Sequence, residues 1–441
     1  MHPEPAPAAP AAVRVLAIAD TDSYLKWSAA TLQALPGTWE STQLLIENPV
    51  MPSAAQIRAA CNRQVEVLSH AAVIRRIRLE CPQVVLLACT GPVVAALTAE
   101  RVFLGRNRPV LVTGLPGISV PATRRAVTSR AACDLLLLHS KREVAEFAEI
   151  CEQWAAGLTL GLASLPFLPR PTPSPMADAE LGPNLVLAAQ AKVPVERAER
   201  ERILLALAET PPAVVKLRAW SEEQQTHRES WSYPEIMADL VAQRRIPADA
   251  VTFVGGSMPE VLRTSRGFVT VSSTAALEAM AMNRPTLIIS DFGVSAEMIN
   301  LVFEESGCLG TLDDLRSGRL CQPDPQWLAA NYFHPADENN WLDLLQELLT
   351  LNAAGQLPPR PRFKASLLGR VRRRLRLIIP PGMWPHLRRL RVLVTTRRSQ
   401  TPTSPGLVVS PHTATYEAIQ TESRIIRDRV RRNGPRARPP R

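Results

Sequence analysis

No pair among the seven cysteines, at positions 61, 81, 89, 133, 151, 308 and 321, has C-x-x-C spacing, and no Cys/His group has zinc-finger spacing. An odd, scattered set in a chain of 441 residues points to reduced thiols in a cytoplasm, used mostly as small apolar residues. No G-x-G-x-x-G follows the first apolar run and no Walker A sequence occurs, which disfavours a simple dehydrogenase or a P-loop enzyme. A clear D-x-D motif of the metal-dependent transferases is also missing. Asp20-Thr21-Asp22 has that spacing but lies near the start of the chain, after the first predicted strand, so no catalytic metal is expected. The opening MHPEPAPAAPAAV lacks a basic stretch and an apolar core, so no secretory leader is expected. The 18-residue uncharged stretch 82–99 carries Thr90-Gly91-Pro92 in its middle and reads as strand, turn and helix, not as a membrane span.

The length leaves room for two domains and a tail, and a hydrophobic content of 46% supports real cores. The 40 prolines gather at the start, around 166–183 and after 358, where they mark linkers. Charge is divided unevenly. Residues 360–441 hold 21 Lys/Arg against 3 Asp/Glu, net +18, so the whole-chain +10 leaves −8 for the first 359 residues. The folded body is mildly acidic, and no nucleic-acid partner is expected of it.

Apolar runs at 13–19, 42–46, 84–88, 110–113 and 134–138 read as buried strands of a parallel sheet. Helical periodicity follows at 23–35, over 53–79 as one long or two short helices, at 92–103, and from a Ser140 cap to about 154. The alternation indicates a doubly wound α/β domain. After the proline-rich stretch the pattern restarts. Strands are predicted at 184–189, 213–217, 251–254, 268–271 and 286–289, with helices at 195–208, 231–243, 258–263, 275–282 and 340–351. The organisation expected is a disordered lead (1–12), an N-terminal Rossmann-like domain (13–165), a linker (166–183), a C-terminal Rossmann-like domain (184–358), and a basic, partly disordered tail (359–441).

The run RGFVTVSSTAALEAMAMNRPTLIISD, residues 266–291, is the most informative. A strand ends in Ser272-Ser273-Thr274, which places hydroxyls and free N–H groups where a helix begins, an end suited to phosphate. Glu278 follows one turn later on the same face. A carboxylate there can accept two hydrogen bonds from a ribose, so the pair suggests a nucleotide-sugar site. The same residues also satisfy a plainer reading, a helix capped by Ser273 or Thr274 with an exposed Glu.

This run resembles the donor-site segment of glycosyltransferases with two Rossmann-like domains, the GT-B architecture, and the Asn283-Arg284-Pro285 turn matches as well. Residues 13–351 resemble an uncharacterised actinobacterial family of glycosyltransferases, and are distantly similar to capsular-polysaccharide transferases. The matching features are residues 19–27 (ADTDSYLKW), Gly114-Leu115-Pro116-Gly117-Ile118, His139-Ser140-Lys141-Arg142-Glu143, Val215-Lys216-Leu217-Arg218 and the serine turn. The resemblance implies an α/β fold class with two doubly wound domains, the first for the acceptor and the second for the donor. It also implies a late helix that crosses back to the first domain and a basic residue on donor phosphate near 216–218. The chain has Arg218 without the proline of the Lys-x-His-Pro pattern seen in the capsule enzymes.

Ligands in such sheets bind beyond the carboxyl ends of strands, so residues there are the candidates. Asp20 and Asp22 follow the first strand; one can serve as general base toward an acceptor hydroxyl, and either can be an N-cap. His139 ends the fifth strand and is a second base candidate or a structural histidine. Lys26, Gly114, Gly117 and Arg130 are cleft or acceptor candidates, with turn and surface roles as alternatives. Lys216 and Arg218 are expected to grip the diphosphate, with a strand-end salt bridge as the alternative, Gly255 and Ser257 to meet the base, Ser272, Ser273 and Thr274 to hold phosphate, and Glu278 to hold the ribose.

The function expected is transfer of a sugar from a nucleotide-sugar, a substrate and not a cofactor, to a cell-envelope glycan, a lipid-linked acceptor or another acceptor. The enzyme would be cytoplasmic. Its tail carries Leu367, Leu368, Val371 and Leu375 at helical spacing among arginines, so residues 360–398 can lie on an anionic membrane surface, with a disordered basic tail or a nucleic-acid contact as alternatives. The alternatives are a nucleotide-sugar epimerase on the same fold and a non-catalytic membrane-surface protein that kept it.

Overall fold

The computed structural model describes residues 12–48, 51–52, 54–61, 65–105, 108–166, 168, 182–217 and 231–358. The lead, most of the linker, Arg218 and the basic tail expected at the membrane therefore lie outside the described residues.

The first sheet is built from β1 (Arg14–Ala19), β2 (Glu40–Ile46), β3 (Glu66–Leu68), β4 (Val84–Ala88), β5 (Val110–Gly114), β6 (Leu135–Leu138) and β7 (Thr159–Leu162). Its order is β3-β2-β1-β4-β5-β6-β7, and all neighbours run parallel. The connecting helices are α1 (Asp22–Gln33), α2 (Ala54–Ala60), α3 (His70–Glu80), α4 (Gly91–Leu97), α5 (Arg124–Arg130) and α6 (Lys141–Trp154). The period of two explains the layering. Leu16, Ile18, Leu44, Ile46, Leu87 and Leu136 point to the α3–α6 face, while Val15, Ala17, Leu45, Leu86 and Leu135 point to the α1 face. Both faces are covered by helices, so the strands read as continuous apolar runs.

The second sheet contains β8 (Asn184–Ala188), β9 (Ala213–Lys216), β10 (Val251–Val254), β11 (Ser265–Thr270), β12 (Thr286–Ile289) and β13 (Leu309–Gly310), in the order β10-β9-β8-β11-β12-β13 and again parallel. Leu185, Leu187, Val215 and Val269 face α7 (Arg197–Ala208), α8 (Tyr233–Ala242) and α11 (Leu312–Arg316). Val186, Val214, Phe268 and Ile288 face α9 (Met258–Arg263), α10 (Ala275–Ala281) and α12 (Pro325–Ala330). The last helix, α13 (Trp341–Ala353), packs Trp341, Leu345 and Leu348 onto the α1 face of the first sheet. The protein is thus an α/β fold of two Rossmann-like sheets, and the chain returns to the first sheet at its end.

Some expectations need refining or correcting. The stretch 53–79 follows the two-helix alternative, with α2 and α3 separated by β3; three residues at a sheet edge are too short to show a period. The helix expected over 92–103 stops at Leu97, and residues 101–103 form a separate 3₁₀ turn. Strands β7 and β13 and helices α5, α11 and α12 had no counterpart in the sequence reading.

Candidate functional site

In each sheet the strand order reverses between its first and fourth strands, β1/β4 and β8/β11, and the crevice beyond their carboxyl ends is the natural ligand position. In the first sheet this crevice is stitched shut. Asp20 is 1% exposed, and its Oδ2 accepts from Thr90 N at 2.8 Å and from Thr90 Oγ1 at 2.6 Å. Burial pushes its carboxyl up to about 6; the Thr90 hydrogen bonds and the charge of Arg130 oppose the rise. Its Oδ1 is buried without a partner. Arg130 is not a cleft or surface arginine. It is 3% exposed and donates to Tyr24 Oη at 2.7 Å and to the Cys89 carbonyl at 3.1 Å.

Asp22 opens α1 and pairs through Oδ2 with Lys26 Nζ at 2.9 Å, one turn on. Asp22 and Lys26 lie nearer the surface than Asp20, with side chains 21% and 49% exposed. His139, expected as a base, has both ring nitrogens engaged. Nε2 accepts from the Trp27 indole at 2.7 Å and Nδ1 meets the Ala163 carbonyl at 3.0 Å. These partners assign the proton to Nδ1. Burial holds the imidazole neutral, lowered to about 4. A histidine so occupied orients Trp27 and β7 and has no nitrogen to offer a substrate. Gly114 serves the same group: a Cβ there would stand 2.3 Å from Trp27 Cζ2, so the glycine admits the indole and not a ligand.

Beyond the second sheet the three hydroxyls divide. Ser272 is 5% exposed and donates to the Ile299 carbonyl at 2.5 Å, which ties down the 291–300 loop. It is a structural serine, contrary to expectation. Ser273 Oγ accepts from Ala275 N at 3.1 Å, two residues on, while the N-cap residue Thr274 makes no side-chain cap bond. Thr274 is exposed. Helix α10 runs only seven residues, so its dipole is small and charge must come from side chains. Glu278, half-buried on that helix, accepts no hydrogen bond from another described residue. Burial raises its carboxyl to about 7, offset in part by the charges of Lys216 and Lys26. Lys216 ends β9 and donates to the Leu217 carbonyl at 2.8 Å. Gly255 and Ser257 form the turn into α9. Gly256 between them has φ +81°, and Ser257 bonds the Glu260 carboxylate, which lowers that carboxyl.

The structure therefore brings Lys26 of the first sheet toward Lys216 and Glu278 of the second. Gly117 completes the approach, since a Cβ there would lie 3.3 Å from Thr274 Cγ2. The loop carrying Gly117 is held by a residue not singled out as a site candidate, Glu143. Its Oε1 accepts from Ser119 N at 2.8 Å and from Tyr332 Oη at 2.7 Å, and its Oε2 from His139 N at 2.8 Å. Burial raises Glu143 to about 7 despite these donors. The Ser140-x-x-Glu143 spacing, a capping-box pattern, was the available signal. Tyr332 had none, because it lies 189 residues away. Among the described residues no group of three His, Cys, Asp or Glu side chains gathers as a metal ion requires, and no helix is long and apolar enough to cross a membrane.

Several solved structures are similar to the chain at low identity. S. aureus MnaA with UDP is 12% identical over 79% of this chain and 99% of that one, with a TM-score of 0.48. Anabaena Alr3699/HepE with UDP and glucose is 16% identical over 78% and 100%, with a TM-score of 0.47. An O-GlcNAc transferase mutant of Thermobaculum terrenum is 14% identical over 78% and 68%, with a TM-score of 0.38. No curated protein matches the chain. A family model does, across both sheets and α13 as far as residue 348: the chain belongs to the family described as "Putative glycosyltransferase (DUF6716)", matched over residues 15–348.

Proposed function

We propose that the protein transfers a sugar from a nucleotide-sugar to an acceptor hydroxyl of a cell-envelope glycan or lipid, at the cleft where Lys26, Lys216 and Glu278 meet. The observation that carries this reading is Glu278. A half-buried carboxyl with no hydrogen-bond donor among the described residues, in the field of Lys216 and Lys26, is a costly arrangement unless a ligand completes it. A ribose supplies two hydroxyl donors to the carboxylate. The diphosphate supplies the negative charge for Lys216, Lys26 and the exposed Thr274.

In the transfer, the bond from the anomeric carbon to the diphosphate oxygen breaks, and the electron pair leaves with the nucleotide. The two lysines stabilise the charge that develops there. The acceptor oxygen forms the new glycosidic bond, and its proton passes to a carboxylate. Asp22 is the candidate base because it is the less buried of the two carboxylates that follow β1. Asp20, buried on Thr90, positions the β1–α1 turn. Contact of residues 360–398 with an anionic membrane, on the cytoplasmic side, belongs to the same proposal and would present a lipid-borne acceptor.

A thermal-shift series of the full chain against nucleoside mono- and diphosphates and nucleotide-sugars tests the donor site. A ligand at a hundred times its Kd should add about 2.7 kcal/mol, and Glu278→Ala should abolish the shift. A folded protein that no nucleotide stabilises would overturn the reading. Donor conversion without acceptor would replace it with an epimerase.

A further inference from the structure

A cavity of about 630 Å³ lies away from the nucleotide cleft, on the α1 face of the first sheet. None of Lys26, Lys216, Thr274 or Glu278 lines it. Its walls come from the far half of α1 and from the two passages of chain between the sheets. One passage is 163–166 with Leu168, leaving the first sheet; the other is 332–341, returning to it. Ala30, Ala34, Leu165, Leu168, Phe333 and Trp341 supply the apolar lining.

Two observations fix what such a cavity accepts. Among the described residues no Asp, Glu, Lys or Arg lines it, so a phosphate, carboxylate or ammonium entering it would lose hydration without a counter-charge from them. Most of its polar side chains already have partners within the protein. Asn339 Nδ2 donates to Ser164 Oγ at 2.9 Å, His334 Nε2 meets Asn339 Oδ1 at 3.0 Å, and His139 is held as described. The volume falls within the range of about 300–1,000 Å³ usual for small-molecule sites. We propose that this cavity is a second binding site, for an uncharged and largely apolar molecule, an alkyl chain with a hydroxyl end. The hydroxyl would join the Ser164–Asn339 rim and the chain would lie against Phe333 and Trp341. Because both passages line it, an occupant touches the connections between the donor-side and acceptor-side sheets. The site does not depend on the donor-site assignment.

The test uses the full chain and the uncharged fluorophore N-phenyl-1-naphthylamine, displaced by decan-1-ol or by decanoate. One saturable site is expected, with the alcohol displacing the probe at least about tenfold more tightly than the carboxylate. Ala30→Phe and Ala34→Phe fill the cavity from the helix side. Each should weaken probe binding about tenfold or more with the unfolding temperature retained, and two variants guard against one misfolding. Glu278→Ala should bind the probe as the parent does. Non-saturable binding, equal displacement by decanoate, or binding unchanged in both filled variants would overturn the proposal.

Discussion

Gly114→Ala tests the assignment of the β5 end as a packing position. The added methyl would stand 2.3 and 2.4 Å from two carbons of the Trp27 ring and 3.3 Å from the Leu137 carbonyl. Ordinary contact needs roughly 1 Å more against the ring. The indole cannot yield cheaply. It is 0% exposed, lies edge-on to Tyr24 and His139, and its N–H is bonded to His139 Nε2 at 2.7 Å. Overpacking costs about 1–3 kcal/mol, and if the ring moves, the imidazole nitrogen left unpaired adds about 1–3 kcal/mol. The expected loss is thus about 2–6 kcal/mol, read by urea unfolding with circular dichroism. Hydrogen exchange of peptides spanning 110–139 would localise it to the first sheet. Trp27→Phe removes the clashing ring, so the double variant should be less destabilised than the two singles predict, by about 1 kcal/mol or more. A Gly114→Ala protein within about 0.5 kcal/mol of the parent, or strictly additive singles, would refute the reasoning.

Nitrogen-15 NMR should find the His139 ring neutral, protonated on Nδ1, down to about pH 4; titration near its ordinary value would contradict the assigned hydrogen bonds. Because its folded value is depressed, its contribution to stability is full above about pH 6.5 and is lost as the pH falls through 4, on the order of 3 kcal/mol in all. Asp134→Ala should cost about 3–5 kcal/mol in chemical unfolding, since it strands Arg108, which is 4% exposed and holds both carboxylate oxygens at 2.7 Å; Arg108→Met with Asp134→Leu should recover most of the loss. Ser272→Ala should cost about 0.5–1.5 kcal/mol and raise hydrogen exchange in 295–300, with nucleotide-induced stabilisation retained; loss of that stabilisation would return Ser272 to the phosphate site.

The strands buried on both faces were legible because each is a run of branched apolar residues bounded by turn residues. β4, β10 and β12 fall where the runs place them. The Ser140 cap was equally plain, with its hydroxyl accepting from Glu143 N at 3.0 Å. Illegible elements were short or at edges, where too few residues exist to show a period, as with β3 and β13. At the site, sequence could nominate residue types at strand ends but not say what they had already bonded. His139, Arg130 and Ser272 each carry the right chemistry and each spends it internally, on Trp27, Tyr24 and Ile299. Lys26 and Glu278 could be nominated separately; only the folding of two sheets toward each other sets them in one field.

The return of α13 to the first sheet has a consequence for how the chain acquires its shape during synthesis. The strands that Trp341, Leu345 and Leu348 cover are made first, yet their cover emerges last. Until residue 348 has left the ribosome, Ala17, Leu86, Val112 and Leu137 lack part of their apolar neighbourhood. The second sheet, by contrast, has strands and helices that all fall between residues 184 and 330, so it is complete while the first still waits. The last cover of the first sheet is thus translated after every strand of the second, and a chain cut short after the second sheet would leave the first with an open flank.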